Sequence, residues 1–294
     1  MKYHLIALFT IFVWGITFVS TKVLLVDFSP LQILLLRFVL GFAVLWALRP
    51  HLLRPKQRPH ELLFIAAGAT GIAAYYLLEN VALVFTTATA VGVIVAASPL
   101  ITALLQAALG DRTALSARFF LGFLMAMSGL VIVGMSSGNA LGGITALGET
   151  ALFGNLLAFA AALVWAVYSL LVKRIADIGY ETIASTKRTF FWGLVIIVPA
   201  TLLFGGAFPS PSVILEPLNA GNLLFLGAIA SAACFVTWGV SVKHLGATRS
   251  TTYIYLVPAI TAAASVIILG EPFTPPIVAG IALTIGGLIL SQGR

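Results

Sequence analysis

The sequence predicts an all-α integral membrane protein: ten transmembrane helices forming two inverted five-helix repeats around a central cavity. Three observations lead there. Of 294 residues, 61% are hydrophobic and only 9% charged, and the mean hydropathy is +1.11. An ordinary soluble domain carries about 25% charged residues. Apolar runs of about 20 residues recur from end to end, the length that crosses a hydrocarbon core about 30 Å thick. Finally, a set of residues in the first half recurs at matched spacing in the second.

Charges, Gly/Pro clusters and length delimit the spans at 5–26, 30–48, 61–84, 89–109, 117–136, 150–172, 184–204, 221–243, 249–269 and 274–291. Lipid offers no partner to an exposed backbone group, so each must be helical. The first run lacks a small-residue cleavage pattern and reads as a retained span, not a removable signal. The second ends at Arg49, ahead of a loop with Arg54, Lys56 and Arg58. The third holds Glu79, and the fourth has Pro99 at its middle and closes at Gly110-Asp111-Arg112. Gly122 and Gly129 give the fifth a close-packing face, and the glycine-rich stretch SGNALGGITALG at 137–148 joins the halves. The sixth carries Trp165 and ends at Lys173-Arg174, the seventh begins near Lys187, and the eighth contains Trp238 and ends at Lys243. Pro258 interrupts the ninth, while Gly280, Gly286 and Gly287 give the tenth its own packing face, favouring contact within one chain over a dimer. The organisation expected is a first repeat at 1–137, an outer linker at 138–148 and a second, inverted repeat at 149–294.

Charge orients the chain. If the loop after the second span is cytoplasmic, alternation places 13 of the 16 Lys and Arg residues on that side, and the outer loops hold none. Asp27, Glu149, Glu216 and Glu271 fall outside. Both termini are then cytoplasmic in a bacterial inner membrane by the positive-inside rule. The net charge of +7 is accounted for by this bias and by anionic lipid heads, with no nucleic-acid surface needed. Lys22, Arg37 and Arg188 lie near span ends and read as snorkelling to the interface.

The repeat is read from spacing. Trp14, Lys22 and Arg37 recur as Trp165, Lys173 and Arg188 at an offset of 151. Ala88-Thr89 precedes Pro99 as Ala247-Thr248 precedes Pro258, and Gly110-Asp111-Arg112 parallels Gly270-Glu271-Pro272. Five spans is an odd number, so the second half must insert upside down. Inverted repeats allow two similar halves to exchange shapes around a midplane site, the architecture of secondary transporters.

These residues, together with Val13-Trp14-Gly15-Ile16-Thr17-Phe18 and Asn80-Val81-Ala82-Leu83, carry a resemblance to a known family. The chain resembles the drug/metabolite transporter superfamily in its ten-helix EamA-type branch, over nearly its whole length. Within that branch it is similar to amino-acid exporters of the YddG type. The resemblance implies a basket around a cavity lined mainly by helices 1, 3, 4, 6, 8 and 9, with 5 and 10 set apart, and it implies export.

Candidate substrate-binding residues emerge from chemistry. An ionised carboxylate deep in a bilayer costs about 2.5–3.5 kcal/mol, so Glu79, roughly 10 Å from the outer end of its helix, should face a cavity or a partner. Tyr75 shares its face, and Tyr76 and Asn80 share the next. It can bind a substrate ammonium or a proton, or be bonded structurally to a tyrosine or Lys22. Trp14, Trp165 and Tyr168 lie mid-helix rather than at headgroup level, and Trp238 occupies the repeat position of Glu79. Central aromatics can stack on a solute or attract an ammonium, or simply pack. Thr17 and Ser169 add hydroxyls nearby. Pro99 and Pro258 free the carbonyls of Val95 and Ile254 and are candidate hinges. Ser98 begins a polar stripe with Thr102 and Gln106, and at most one of Tyr253 and Tyr255 should line the cavity.

Other classes fit less well. His60-Glu61 begins a zinc-protease pattern whose second histidine is missing, and the one cysteine, Cys234, offers no disulfide or metal cluster. No histidine lies at depth for a Ser–His pair, so an enzyme, a metal and a cofactor are not expected. An organophosphate antiporter needs midplane Lys or Arg, which sit here at edges. A lipophilic-cation exporter suits one acid among aromatics, whereas a structural or lipid-scrambling protein would need neither. No phosphate-cradling loop binds ATP, so coupling would come from the solute gradient, exchange or protons, the last through Glu79. The leading expectation is an exporter of neutral or aromatic amino acids and related metabolites.

Overall fold

The computed structural model describes residues 1–86, 88–111, 113, 115–136, 149–269 and 275–292. Helix is the only regular structure among them. The expected linker at 138–148, Arg112 and the Gly270-Glu271-Pro272 turn lie outside the described residues.

Helices occur in every predicted span. They are α1 (Lys2–Leu24), α2 (Pro30–Leu48), α3 (Pro59–Phe85), α4 (Ala88–Val95 and Ser98–Ala108) and α5 (Ala117–Ser136). The second half contributes α6 (Glu149–Asp177), α7 (Thr182–Phe204), α8 (Pro217–Leu245), α9 (Ala247–Thr252 through Leu256–Leu269) and α10 (Pro275–Gln292). By length and composition, seven helices among the described residues can cross a membrane: α1 to α4 and α6 to α8. The described apolar stretches of α5 and α10, Ala117–Gly129 and Val278–Ser291, are shorter.

Four local departures from α-geometry shape the interior. α3 is π-helical over Gly68–Ala74, and α8 over Phe225–Ala233. A π-turn widens the helix and re-aims the next turns, a common device at functional sites. Gly71 lets α6 approach the first of these closely, because a Cβ there would stand 2.2 Å from the Tyr168 ring. α4 breaks between Val95 and Ser98, one residue before Pro99, and α9 tightens into a 3₁₀ turn at Tyr253–Tyr255, ahead of Pro258. Each proline lacks the N–H that would continue the ladder, so the backbone yields on its N-terminal side.

Caps set where the second helix of each half begins. Ser29 and Gln32 exchange bonds in a capping box, with Gln32 Oε1 accepting from the Ser29 N–H at 2.9 Å. Gln32 Nε2 then donates to the carbonyls of Gly205 and Ala207, at 2.9 and 2.8 Å, tying α2 to the end of α7. Glu181 caps α7 by accepting from Ile183 and Ala184 N–H groups, and it pairs with Arg49 at 2.7 Å. After α4, Gly110 takes a φ of +101°, a region that favours glycine. Asp111 accepts from Thr113 and from Gln106, and these bonds hold its carboxyl below the usual carboxylate range. Gln106 Oε1 in turn accepts from Thr248 at 2.7 Å, linking α4 to α9.

The core is aromatic. Phe235 of α8 is its hub, with ring centroids of Trp14, Phe38 and Phe190 at 5.7, 5.9 and 5.2 Å, mostly edge to face. Away from it, α5 and α10 pack on each other so closely that glycine is required. A Cβ on Gly129 would lie 2.5 Å from the Gly280 carbonyl, and one on Gly122 would lie 2.6 Å from that of Gly287.

The snorkelling expectation is corrected for Arg37, which is fully buried. Its guanidinium finds Ser231 and an aromatic face nearer than any headgroup, so the side chain turns inward. Arg188 instead pairs with Glu61 at 2.8 Å, and Lys22 is exposed as expected.

Gly129→Ala is expected to destabilise the protein by about 1–3 kcal/mol, the cost of overpacking against backbone that cannot retreat. Gly221→Ala, where no neighbouring element comes within 4 Å, is expected to be neutral to slightly stabilising, since alanine is the better helix former. Thermal unfolding of the two variants in detergent checks the contrast; equal midpoints would contradict the α5–α10 contact.

Candidate functional site

Where α1, α3, α4, α6 and α9 converge, they leave a cavity of about 30 Å³, room for little more than a water or two. α1 supplies Trp14, Thr17 and Phe18, the i, i+3, i+4 set of one helical face. α3 supplies Tyr75, Tyr76 and Glu79 from the turns just after its π-segment. Val95 of α4, Trp165 of α6, and Ile254 and Val257 of α9 complete the wall.

The aromatic walls are interlocked. Trp14 and Trp165 meet edge to face with centroids 5.1 Å apart, and Tyr75 leans on Trp165 at 4.7 Å and on Tyr76 at 4.8 Å. Trp14 Nε1 donates to the Ala230 carbonyl at 3.0 Å, inside the π-segment of α8. The Thr17 hydroxyl is used internally, donating to the Trp14 carbonyl at 2.7 Å. By contrast, Trp165 Nε1 is buried without a hydrogen-bond partner, a donor left over on the cavity wall.

Glu79 is 2% exposed, and the groups that act on its carboxylate are Arg37 and Tyr75. Glu79 and Arg37 form no ion pair with each other, in contrast to Arg49–Glu181, Lys173–Asp177 and Arg188–Glu61. The Arg37 guanidinium lies 4.2 Å from the centroid of the Tyr76 ring, over its face, and Nε donates to Ser231 Oγ at 3.0 Å. Its two terminal nitrogens have no partner. Sequence reasoning missed that Arg37 turns inward against Tyr76, because position along α2 shows depth but not which way a side chain turns.

Six of the twelve candidate binding residues thus meet on this wall: Trp14, Thr17, Tyr75, Tyr76, Glu79 and Trp165. The other six lie elsewhere. Trp238 packs behind, with centroids 5.2 Å from Trp14 and 5.5 Å from Trp165. Asn80 donates to the Pro30 carbonyl at 3.2 Å, Ser98 to that of Val95 at 2.5 Å, and Ser169 to that of Trp165 at 2.9 Å. Tyr168 lines a second, smaller void of about 20 Å³ with Thr186 and Phe235, and Tyr253 hydrogen-bonds His4. The residues whose carbonyls the two prolines release, Val95 and Ile254, both reach the cavity. Phe18 and Val257 were also missed, since apolar residues in an apolar span carry no distinguishing signal.

Such a site can bind and orient; no nucleophile with an adjacent base is assembled among the residues that line it. Among the described residues no group of three His, Cys, Asp or Glu could hold a metal ion. The profile of the EamA-like transporter family matches residues 1–135 and 152–292. The chain belongs to the EamA-like transporter family. The transporter is 26% identical over 297 residues to an uncharacterized transporter of Archaeoglobus fulgidus, spanning 100% of this chain and 98% of that one. It is 27% identical to a probable terminal-alkyne amino-acid exporter of Streptantibioticus cattleyicolor, over 97% of this chain and 91% of its relative. A probable amino-acid metabolite efflux pump of Escherichia coli is 26% identical over 99% of this chain and 94% of its own. A crystal structure at 22% identity covers 99% of this chain and 95% of its own with a TM-score of 0.75, which shows the shared fold.

Trp14→Phe is expected to lose about 1 kcal/mol, because it leaves the Ala230 carbonyl without its donor while keeping a ring. Trp165→Phe removes no hydrogen bond and should lose only contact area. A larger loss of thermal stability in the second than in the first would contradict this assignment.

Proposed function

We propose that this transporter exports neutral and aromatic amino acids and related metabolites across a bacterial inner membrane, by alternating access of two inverted five-helix repeats with both termini cytoplasmic. The observation that carries the reading is the cavity itself: aromatic faces from α1, α3 and α6 around a single carboxylate, at the meeting of both halves. An ammonium group suits Glu79, and an aromatic or aliphatic side chain suits the indole and phenol walls. The printed names of two relatives, an amino-acid exporter and an amino-acid metabolite efflux pump, support the same class.

Symmetry supports the repeat. The π-segment of α3 corresponds to that of α8 at an offset of 157 to 159, and Val95 corresponds to Ile254 at 159. Ser29 and Glu181, the caps of α2 and α7, stand 152 apart. A cavity of about 30 Å³ cannot hold an amino acid, so this is a closed state, and loading requires helices to part. The breaks before Pro99 and Pro258 border the cavity and are the proposed bending points. Protons are the candidate coupled ion, through Glu79, and a monomer suffices because both halves sit in one chain. A second reading, export of lipophilic cations, is favoured by the same acid among aromatic rings.

Proteoliposomes containing the purified protein should exchange radiolabelled phenylalanine across the membrane. Glu79→Gln and Trp165→Ala should each lower that flux about tenfold or more, the effect of about 1.4 kcal/mol. Movement of cationic dyes without phenylalanine would select the second reading. Unchanged flux in both variants would remove this cavity as the pathway.

A further inference from the structure

Arg37 is the one fully buried arginine among the described residues, and its Nη1 and Nη2 have no hydrogen-bond partner. A buried cation left without partners is expensive, several kcal/mol even after relaxation, and persists where something else offsets it. It lies on a helix that touches the one bearing the acid, Asn80 beside Glu79 donating to the Pro30 carbonyl at the start of α2. Arg37 lies seven residues from the start of α2, and Glu79 lies six from the end of α3, both roughly 10 Å in from those helix ends. Tyr76 stands between: its ring takes the guanidinium on one side, at 4.2 Å, and the residue lines the cavity on the other.

The second half supplies an internal comparison. At the matching position, 151 residues on, Arg188 holds a carboxylate, with Nε at 2.9 Å and Nη2 at 2.8 Å from Glu61 Oε1. Arg37 uses its Nε on the neutral Ser231 hydroxyl and keeps its terminal fork unoccupied. One arginine of the pair has a carboxylate from the chain, and the other has none. A planar fork with two free N–H edges is the geometry that takes a carboxylate bidentately.

We propose that Arg37 is a carboxylate-binding subsite of the transport cavity, reached when Tyr76 turns aside, so that the solute is a zwitterion held by Arg37 at its carboxylate and by Glu79 at its ammonium. This rests on the transport reading above and adds the residue that recognises the acid end. It accounts for two buried opposite charges that do not pair with each other: each takes one end of a dipolar solute. It also gives Tyr76 a role as a partition that shields the guanidinium, by its ring face, while the cavity is closed.

The test compares radiolabelled phenylalanine with phenethylamine, the same molecule without its carboxylate, in proteoliposomes. The wild type should move phenylalanine about tenfold faster or more. Arg37→Gln should lower phenylalanine flux by about tenfold, one charge-assisted contact, and leave phenethylamine flux within about twofold. Its thermal midpoint should fall less than its phenylalanine flux implies, since in the closed cavity Arg37 holds the neutral Ser231 hydroxyl and the Tyr76 ring face but no carboxylate in an ion pair. Should Arg37→Gln fail to fold, Arg37→Lys keeps the charge without the fork and should still prefer phenylalanine, with a raised half-saturating concentration. Phenylalanine flux unchanged in Arg37→Gln, both fluxes lowered alike, or a half-saturating concentration unchanged in Arg37→Lys overturns the subsite. So does recovery of phenylalanine flux in the Arg37→Gln/Glu79→Gln double variant, which would make Arg37 a counter-charge for Glu79 alone. If the wild type moves neither solute, the amino-acid reading falls first and the subsite with it.

Discussion

The cost of burying charge in a medium that cannot solvate it organises this molecule. Glu79 and Arg37 are both withdrawn from solvent, and neither is matched by an ion pair. Their surroundings are those that low-dielectric chemistry permits: a phenol beside the acid, an aromatic face and a hydroxyl on the guanidinium. Aromatic rings are suited to this setting because they are apolar enough to fill a core yet carry a negative face and, in tyrosine, a polar tip. The cluster around Phe235 therefore does two jobs, filling the space between helices and moderating the two charges.

The backbone obeys the same demand. In lipid, a helix can depart from α-geometry only where protein supplies new partners for the groups released. The departures in α3, α4, α8 and α9 all lie in the core or on the cavity wall. The Ala230 carbonyl in the α8 π-segment receives Trp14 Nε1, and the Val95 carbonyl ahead of Pro99 receives the Ser98 hydroxyl. Irregular backbone and aromatic donors are thus coupled, and a displacement of Trp14 would take the indole donor away from the Ala230 carbonyl. α5 and α10, remote from the cavity, stay regular and join through glycine contacts instead.

Much of this was legible in the sequence. Length and hydropathy marked where helices lie, because the bilayer imposes both, and helices occur in each predicted span. Trp14, Trp165, Tyr75, Tyr76 and Glu79 were legible as cavity-facing residues because aromatic and acidic groups at mid-span need a reason. Rotation about the helix axis was not legible. Apolar periodicity normally reports it, but here both faces are apolar, one toward lipid and one toward protein. Trp238 and Trp165 look alike on paper; one is sealed behind the wall and the other forms it. Arg37 failed for the same reason, since a snorkelling and an inward-turned arginine share one position on the helix.

Rotation also explains why the closed cavity is so small. Trp14, Trp165 and Tyr75 fill the space with rings in van der Waals contact, so the volume a solute would need is occupied by side chains rather than by water. On the proposed transport reading, opening trades ring–ring contact for ring–solute contact of similar kind. For an aromatic zwitterion the exchange is nearly balanced on the apolar side, and the charged ends, worth more in a dry site than in a wet one, decide whether the solute is held. A solute lacking either charge could replace the rings but would leave Glu79 or Arg37 no better satisfied than in the closed state. On the transport reading proposed above, selectivity comes from the two charged groups that folding left without an ion pair.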